Sequence, residues 1–366
     1  MTKDNLNPQE RAIYGYLHRK HFATSADLSE VLGRKFGMSP EASRKAISRA
    51  LEAKIIESTK PVSFGKRRYV YHLPNIALTL EFVLAITKAY RPPLYRTLST
   101  MREQGGIISF YEILKIASTV LDNVNNHKQV LEKIVTELVR LDLVDVIEDD
   151  FLQRYLVFKN RDKIPFAPTV AQHRGQLVTD AMLLPDILRM LQYQNIIDNK
   201  NVIYRNKNTP TKGIEHMNHV WDAIAYTKTT GYNPGVASES NAKEKQTLVV
   251  LDVLLYRDYT IDDFQGFFER VQSVFQSVKM GKRKVLPIIV FRNTDEQTFN
   301  TIHKVGFLTF NIGNVYGNRI YDVIANLNRL KSGGMEEETT DYTAVVEDTL
   351  SIVKSAGHED NLQNIR

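Results

Sequence analysis

Cysteine is absent from all 366 residues, so disulfides, thiol nucleophiles and cysteine-ligated zinc are excluded together. Tryptophan occurs once. No apolar run approaches the ~20 residues that a membrane-spanning helix requires, so no membrane partner is expected. The opening stretch, MTKDNLNPQERAIYGYL, has charges but no apolar segment behind them, and a secretory signal is not expected either. These absences point to a reducing, cytoplasmic setting. Also missing are HExxH, a Walker phosphate loop, GxSxG and a GxGxxG followed by an acid. With them go the zincin, P-loop, serine-hydrolase and dinucleotide readings.

What is present describes an ordinary globular chain, 43% hydrophobic and 25% charged, long enough for two or three domains. Its net charge of +6 is unevenly spread. Residues 1–75 hold 14 Lys/Arg against 7 Asp/Glu, whereas residues 331–366 hold 3 against 8. A cationic leading end suggests a polyanionic partner there, with a merely solvated face as the plain alternative.

Periodicity and punctuation divide residues 7–73 into three helices and a hairpin. NPQERAIYGYLHRK has Asn7 as cap and Pro8 at the first helical position. SADLSEVLGRKFG is predicted to start with Ser25 as cap and to end at glycine. SPEASRKAISRALEAK has Ser39 as cap, with Ala42, Ala46, Ile47, Ala50 and Leu51 on its inward face. IIEST and RRYVYHL are predicted strands around a turn with Pro61 and Gly65. This order resembles the winged helix-turn-helix modules of DNA readers. The resemblance implies double-stranded DNA as partner, with Ser43, Arg44, Lys45, Ser48 and Arg49 of the third helix toward bases and phosphates. Lys60, Lys66, Arg67 and Arg68 of the hairpin would meet backbone or minor groove.

Residues 76–165 form a second helical block ending in a hairpin, again similar to a winged helix. Its tip, Glu148, Asp149 and Asp150, is acidic and would repel phosphate, so a scaffold or dimer contact is expected. Residues 176–330 change to an α/β pattern: a helix interrupted near Pro185, strands in NVIYRN, VWDAIAYTK and TLVVLDVLLYR, a helix, VLPIIVF, a helix and GFLTFNI. The expected class is therefore α+β and α/β multidomain, tandem winged helices followed by an αβββαβ domain. Residues 331–366 add an acidic hinge and an amphipathic tail. The tail or the 76–165 block is expected to carry a homodimer or partner-protein contact.

The α/β segment, with an acid in VWDAIAY and another in VVLDVLL, resembles the PD-(D/E)xK restriction-endonuclease-like superfamily. The resemblance implies that Asp222 and Asp252 hold a divalent metal as catalytic residues, Mg2+ or Mn2+, and that a lysine stands two residues past the second acid. Leu254 stands there instead. Leucine supplies neither charge nor a proton donor to phosphodiester attack. Lys228 is too far along its strand to substitute, and strand alternation puts Arg257 on the opposite face from Asp252. Asp252 is thus open to three readings: metal ligand, relic of a site, or structural aspartate paired to a cation. Glu215, His216, His219 and Asp222 form a second candidate metal set, with an exposed loop as the plain alternative.

The expected function is site-specific DNA binding, of mobile-element, plasmid or defence type, with a degenerate nuclease-like domain used for binding or assembly and no cofactor. The alternatives are a metal-dependent DNA endonuclease using Asp222 and Asp252, and a protein-interaction subunit.

Overall fold

The computed structural model describes residues 6–64, 68–74, 76, 78–118, 127–159, 166–227, 247–278 and 284–331. Gly65, Lys66, Arg67, Lys228 and the 332–366 tail lie outside the described residues. The fold mixes helix and strand, with 12 helices and 13 strands among the described residues. None of those helices is long and apolar enough to cross a membrane.

The chain divides into two compact units, residues 1–99 with 133–145 and 158–160, and residues 100–132 with 146–157 and 161–366. The 76–165 block is therefore shared between them. In the first unit, α1 (Pro8–Lys20) starts at Asn7, whose side chain accepts from Glu10 N–H while Glu10 reciprocates. Then come β1 (Ala23–Thr24), α2 (Ser25–Phe36), α3 (Pro40–Glu52), β2 (Glu57–Ser58) and β3 (Val70–His72). The cap of α2 is Thr24 rather than Ser25, because Asp27 returns the hydrogen bond to Thr24 N–H and closes a capping box. Gly37 ends α2 in the left-handed conformation, at φ 64°. Strand β1 went unread, since two residues are too few to show alternation. It completes an antiparallel sheet of order β1-β3-β2. Ile13, Leu17, Leu28, Leu32, Ile47 and Ala50 meet in one core under that sheet.

Next come α4 (Leu80–Tyr90), α5 (Pro92–Glu103), β4 (Ile107–Ser109), α6 (Phe110–Ile116), α7 (His127–Arg140), β5 (Val144–Glu148) and β6 (Arg154–Phe158). The Pro92–Pro93 pair starts a helix here, because proline suits the first turn, where no donor is needed. Strands β4 and β6 pair antiparallel, Ile107 opposite Val157.

The second unit is built on α8 (Phe166–Tyr193), β7 (Ile203–Tyr204), the hairpin β8 (Ile214–His216) and β9 (His219–Trp221), β10 (Ala223–Tyr226) and β11 (Leu248–Leu254). These are followed by α9 (Ile261–Val278), β12 (Val285–Phe291), α10 (Glu296–Lys304), β13 (Leu308–Asn311), α11 (Ile312–Tyr316) and α12 (Arg319–Lys331). Helix α8 is not interrupted near Pro185; it runs through it, its apolar side chains Leu184, Ile187, Leu188 and Leu191 buried against the sheet. Tertiary burial outweighs the lost hydrogen bond. The sheet order is β13-β12-β11-β10-β7, with β11, β12 and β13 parallel and β10 antiparallel to both neighbours. Central strand β11 is buried at every position. Val249, Leu251 and Val253 pack toward α8 and α12, and Leu248, Val250 and Leu254 toward Phe264, Phe267 and Val271 of α9. Alternation puts Asp252 on the α9 side. Ala223 pairs with Leu251, and one more step of that register brings Asp222 opposite Asp252.

Candidate functional site

Two groups of predicted residues fare differently. On α3, Arg44, Lys45, Ser48 and Arg49 are all exposed, while Ala46, Ile47 and Ala50 are buried. Lys60 and Arg68 are exposed as well. Ser43 is a correction. It is fully buried, because it lies three and four residues before Ala46 and Ile47 and so belongs to the inward stripe.

Asp222 and Asp252 are brought together, as the register requires, but not around an open site. Asp222 is 0% and Asp252 2% exposed. The ammonium of Lys115 lies between them, its Nζ 2.6 Å from Asp222 Oδ2 and 2.9 Å from Asp252 Oδ1. Arg205 Nε lies 3.0 Å from Asp222 Oδ1, and Arg270 Nη2 3.0 Å from Asp252 Oδ1. Tyr111 O–H also donates to Asp222 Oδ1, Val253 N–H to Asp222 Oδ2 at 2.8 Å, and Tyr259 O–H to Asp252 Oδ2 at 2.9 Å. Arg205 spends a second donor group on the Leu177 and Pro210 carbonyls, at 3.1 and 2.7 Å.

Local structure explains how Lys115 arrives. Ser109 caps α6 and Glu112 completes the capping box, so Tyr111 and Lys115, four residues apart, share a face. Glu112 is itself pinned by His173 Nε2 at 2.6 Å, by Gln104 Nε2 at 3.0 Å and by the Tyr256 hydroxyl. The end of α6 then lies against α9 at Gly266, where a Cβ would stand 2.7 Å from Lys115 O and 2.8 Å from Ile116 O. Only glycine permits that approach.

Burial by itself would raise the Asp222 carboxyl, but Lys115 and Arg205 outweigh it and hold it at about 2. Burial would likewise lower the Lys115 ammonium, and Asp222 and Asp252 instead push it up, so it stays charged. Asp180 of α8 behaves oppositely. Its Oδ1 accepts from Leu255 N–H at 3.0 Å, and burial lifts it to about 7 against the opposing pull of Arg205. Beside the cluster is a small cleft, lined among others by Glu112, Lys115, Asp180, Asp252, Arg257 and Asp263.

Leu254, two residues past Asp252, packs into the apolar α9-side core. Two further expectations change. Arg257 is not turned away from Asp252. Strand β11 ends at Leu254, alternation stops there, and Arg257 lines the same cleft with both terminal nitrogens 2.7 Å from Asp263 oxygens. The Glu215, His216, His219 and Asp222 set does not assemble: the first three lie on the β8–β9 hairpin while Asp222 turns into the Lys115 cluster. Among the described residues no group of three or more His, Asp or Glu is placed to hold a metal.

The sequence reading missed Lys115, Arg205, Arg270, Tyr111, Tyr259 and Asp180. Arg270 did leave a signal, since it sits three residues after Phe267 on the apolar stripe of α9, where a charge demands a buried acid. Lys115 left none, being 107 residues from Asp222. A hydrated Mg2+ or Mn2+ ion does not fit this arrangement, because it needs carboxylate oxygens open to it and to its waters. Those oxygens face an ammonium, two guanidiniums and two hydroxyls. Compared with family models, curated proteins and solved structures, the chain matches none of them.

Proposed function

We propose that the chain is a DNA-binding protein. Its leading winged helix-turn-helix module docks on duplex DNA, and its restriction-endonuclease-like α/β unit serves binding or assembly rather than cleavage. The observation that carries this reading is the exposed row of Arg44, Lys45, Ser48 and Arg49 on α3, a helix whose other face is core. A helix of this kind fits a major groove ~12 Å wide, with guanidiniums within reach of phosphates and base edges. Arg68 adds a cation on the hairpin. For the α/β unit, the support is the saturation of both carboxylates by Lys115, Arg205 and Arg270.

Replacing Arg44 and Arg49 together by alanine is expected to weaken duplex binding at least about tenfold and to reduce the slope of log K against log salt by about 2. Fluorescence anisotropy across a salt series measures both quantities, and unchanged affinity would overturn DNA docking by α3.

One observation favours a second reading, metal-dependent endonuclease: Lys115 brings to the acid pair the ammonium that Leu254 lacks. Incubating the protein with Mn2+ and plasmid separates the two. We expect no nicking above background. Nicking that disappears in Asp252→Ala would replace the non-cleaving assignment.

A further inference from the structure

In the leading module, the segment between β2 and β3 is braced at both of its arms by two consecutive residues at the end of α4. Arg91 Nη1 donates to Ser63 O at 3.3 Å on the outgoing arm, and Arg91 is in turn paired with Glu137. On the returning arm the Arg68 guanidinium lies over the Tyr90 ring, 5.2 Å from its centroid. The arms are tied to each other as well. Phe64 N–H bonds Arg68 O at 2.7 Å, Val70 N–H bonds Thr59 Oγ1 at 3.2 Å, and Val62 and Phe64 are buried.

Tyr90 itself is held from two sides. Its hydroxyl donates to Asp27 Oδ2 at 3.0 Å, the same oxygen that accepts from Thr24 N and Thr24 Oγ1, each at 2.7 Å, in the capping box of α2. Its ring meets the edge of Phe22, with centroids 6.2 Å apart. Burial would raise the Asp27 carboxyl, yet the Thr24 and Tyr90 hydrogen bonds and the charge of Arg68 outweigh it and hold it below its ordinary value. The exposed Arg68 cation is thus seated on a ring whose position is set by the start of α2 and the end of α4.

We infer that Tyr90 is a positioning residue for the wing: it holds Arg68 pre-aligned against the phosphate backbone or minor groove of duplex DNA while α3 occupies the major groove. The inference rests on the DNA-binding reading above and adds to it a residue outside the 1–75 module. A guanidinium stacked on a ring gives up less side-chain freedom on binding, and its planar donors stay available at the edge.

The test is a double-mutant cycle on a random-sequence duplex, read by anisotropy at low and at physiological salt. Tyr90→Ala is expected to weaken binding about threefold. Arg68→Ala is expected to weaken it at least as much, and the double variant no further than Arg68→Ala. Tyr90→Phe, which keeps the ring, should bind nearly as wild type. Arg44→Ala should cost the same factor with or without Tyr90→Ala, which shows that the module stays folded. If Tyr90→Ala has no effect, or loses its factor equally in the Arg68→Ala background, the positioning role is overturned while DNA binding stands. If the Arg44 and Arg49 substitutions also change nothing, both readings fall.

Discussion

Lys115→Ala is expected to lower the free energy of unfolding by about 3–5 kcal/mol, the range for removing one partner of a buried ion pair. Its ammonium touches two carboxylates that are 0% and 2% exposed, and the lysine side chain is itself only 11% exposed. Without it, the Asp222 and Asp252 carboxylates keep only Arg205 and Arg270 as counter-charge. Urea unfolding at neutral pH measures the effect, and Lys45→Ala on the exposed face of α3 serves as control, expected within about 0.5 kcal/mol of wild type. A loss under about 1 kcal/mol for Lys115→Ala would mean the cluster is looser than described. The sign of the pH dependence follows from Asp222, whose folded value of about 2 lies below its ordinary one. Its contribution is complete above about pH 4 and vanishes as pH falls toward about 2. The deficit of Lys115→Ala should shrink over that window.

The second large effect belongs to Asp180 and has the opposite sign. Its carboxyl is raised to about 7 in the folded chain, chiefly by burial. The folded state therefore keeps a proton that the unfolded state releases near pH 4. Stability falls as pH rises from about 4, and the fall levels off above about 7. Asp180→Asn removes that proton exchange while keeping an oxygen to accept from Leu255 N–H. The variant should match wild type near pH 4 and exceed it by on the order of 2–4 kcal/mol at pH 8. Unfolding midpoints at the two pH values check it. A variant equally or less stable at pH 8 would show that Asp180 is already ionised and paired.

Much of the fold was legible because it is local. The α1 cap, the long strands of the α/β segment and the one-sided burial of α3 follow from spacing over a few residues. Thr24 rather than Ser25 is the cap because Asp27 stands three residues after Thr24, the capping-box spacing, and only two after Ser25. Ser43 shows the reverse failure, since its burial was present in the helical period and residue chemistry was allowed to override it.

By itself the sequence determined the mixture of helix and strand, the cationic leading end, the presence of two acids in neighbouring strand segments and the lack of a lysine beside the second. Tertiary structure alone decided what those acids do. Their partners come from α6, from the residue after β7 and from α9, and no short-range pattern records which distant cation will be folded against a buried carboxylate. Electrostatics in a dry interior forces such a pairing to exist; only packing, down to the missing Cβ of Gly266, selects Lys115 to make it.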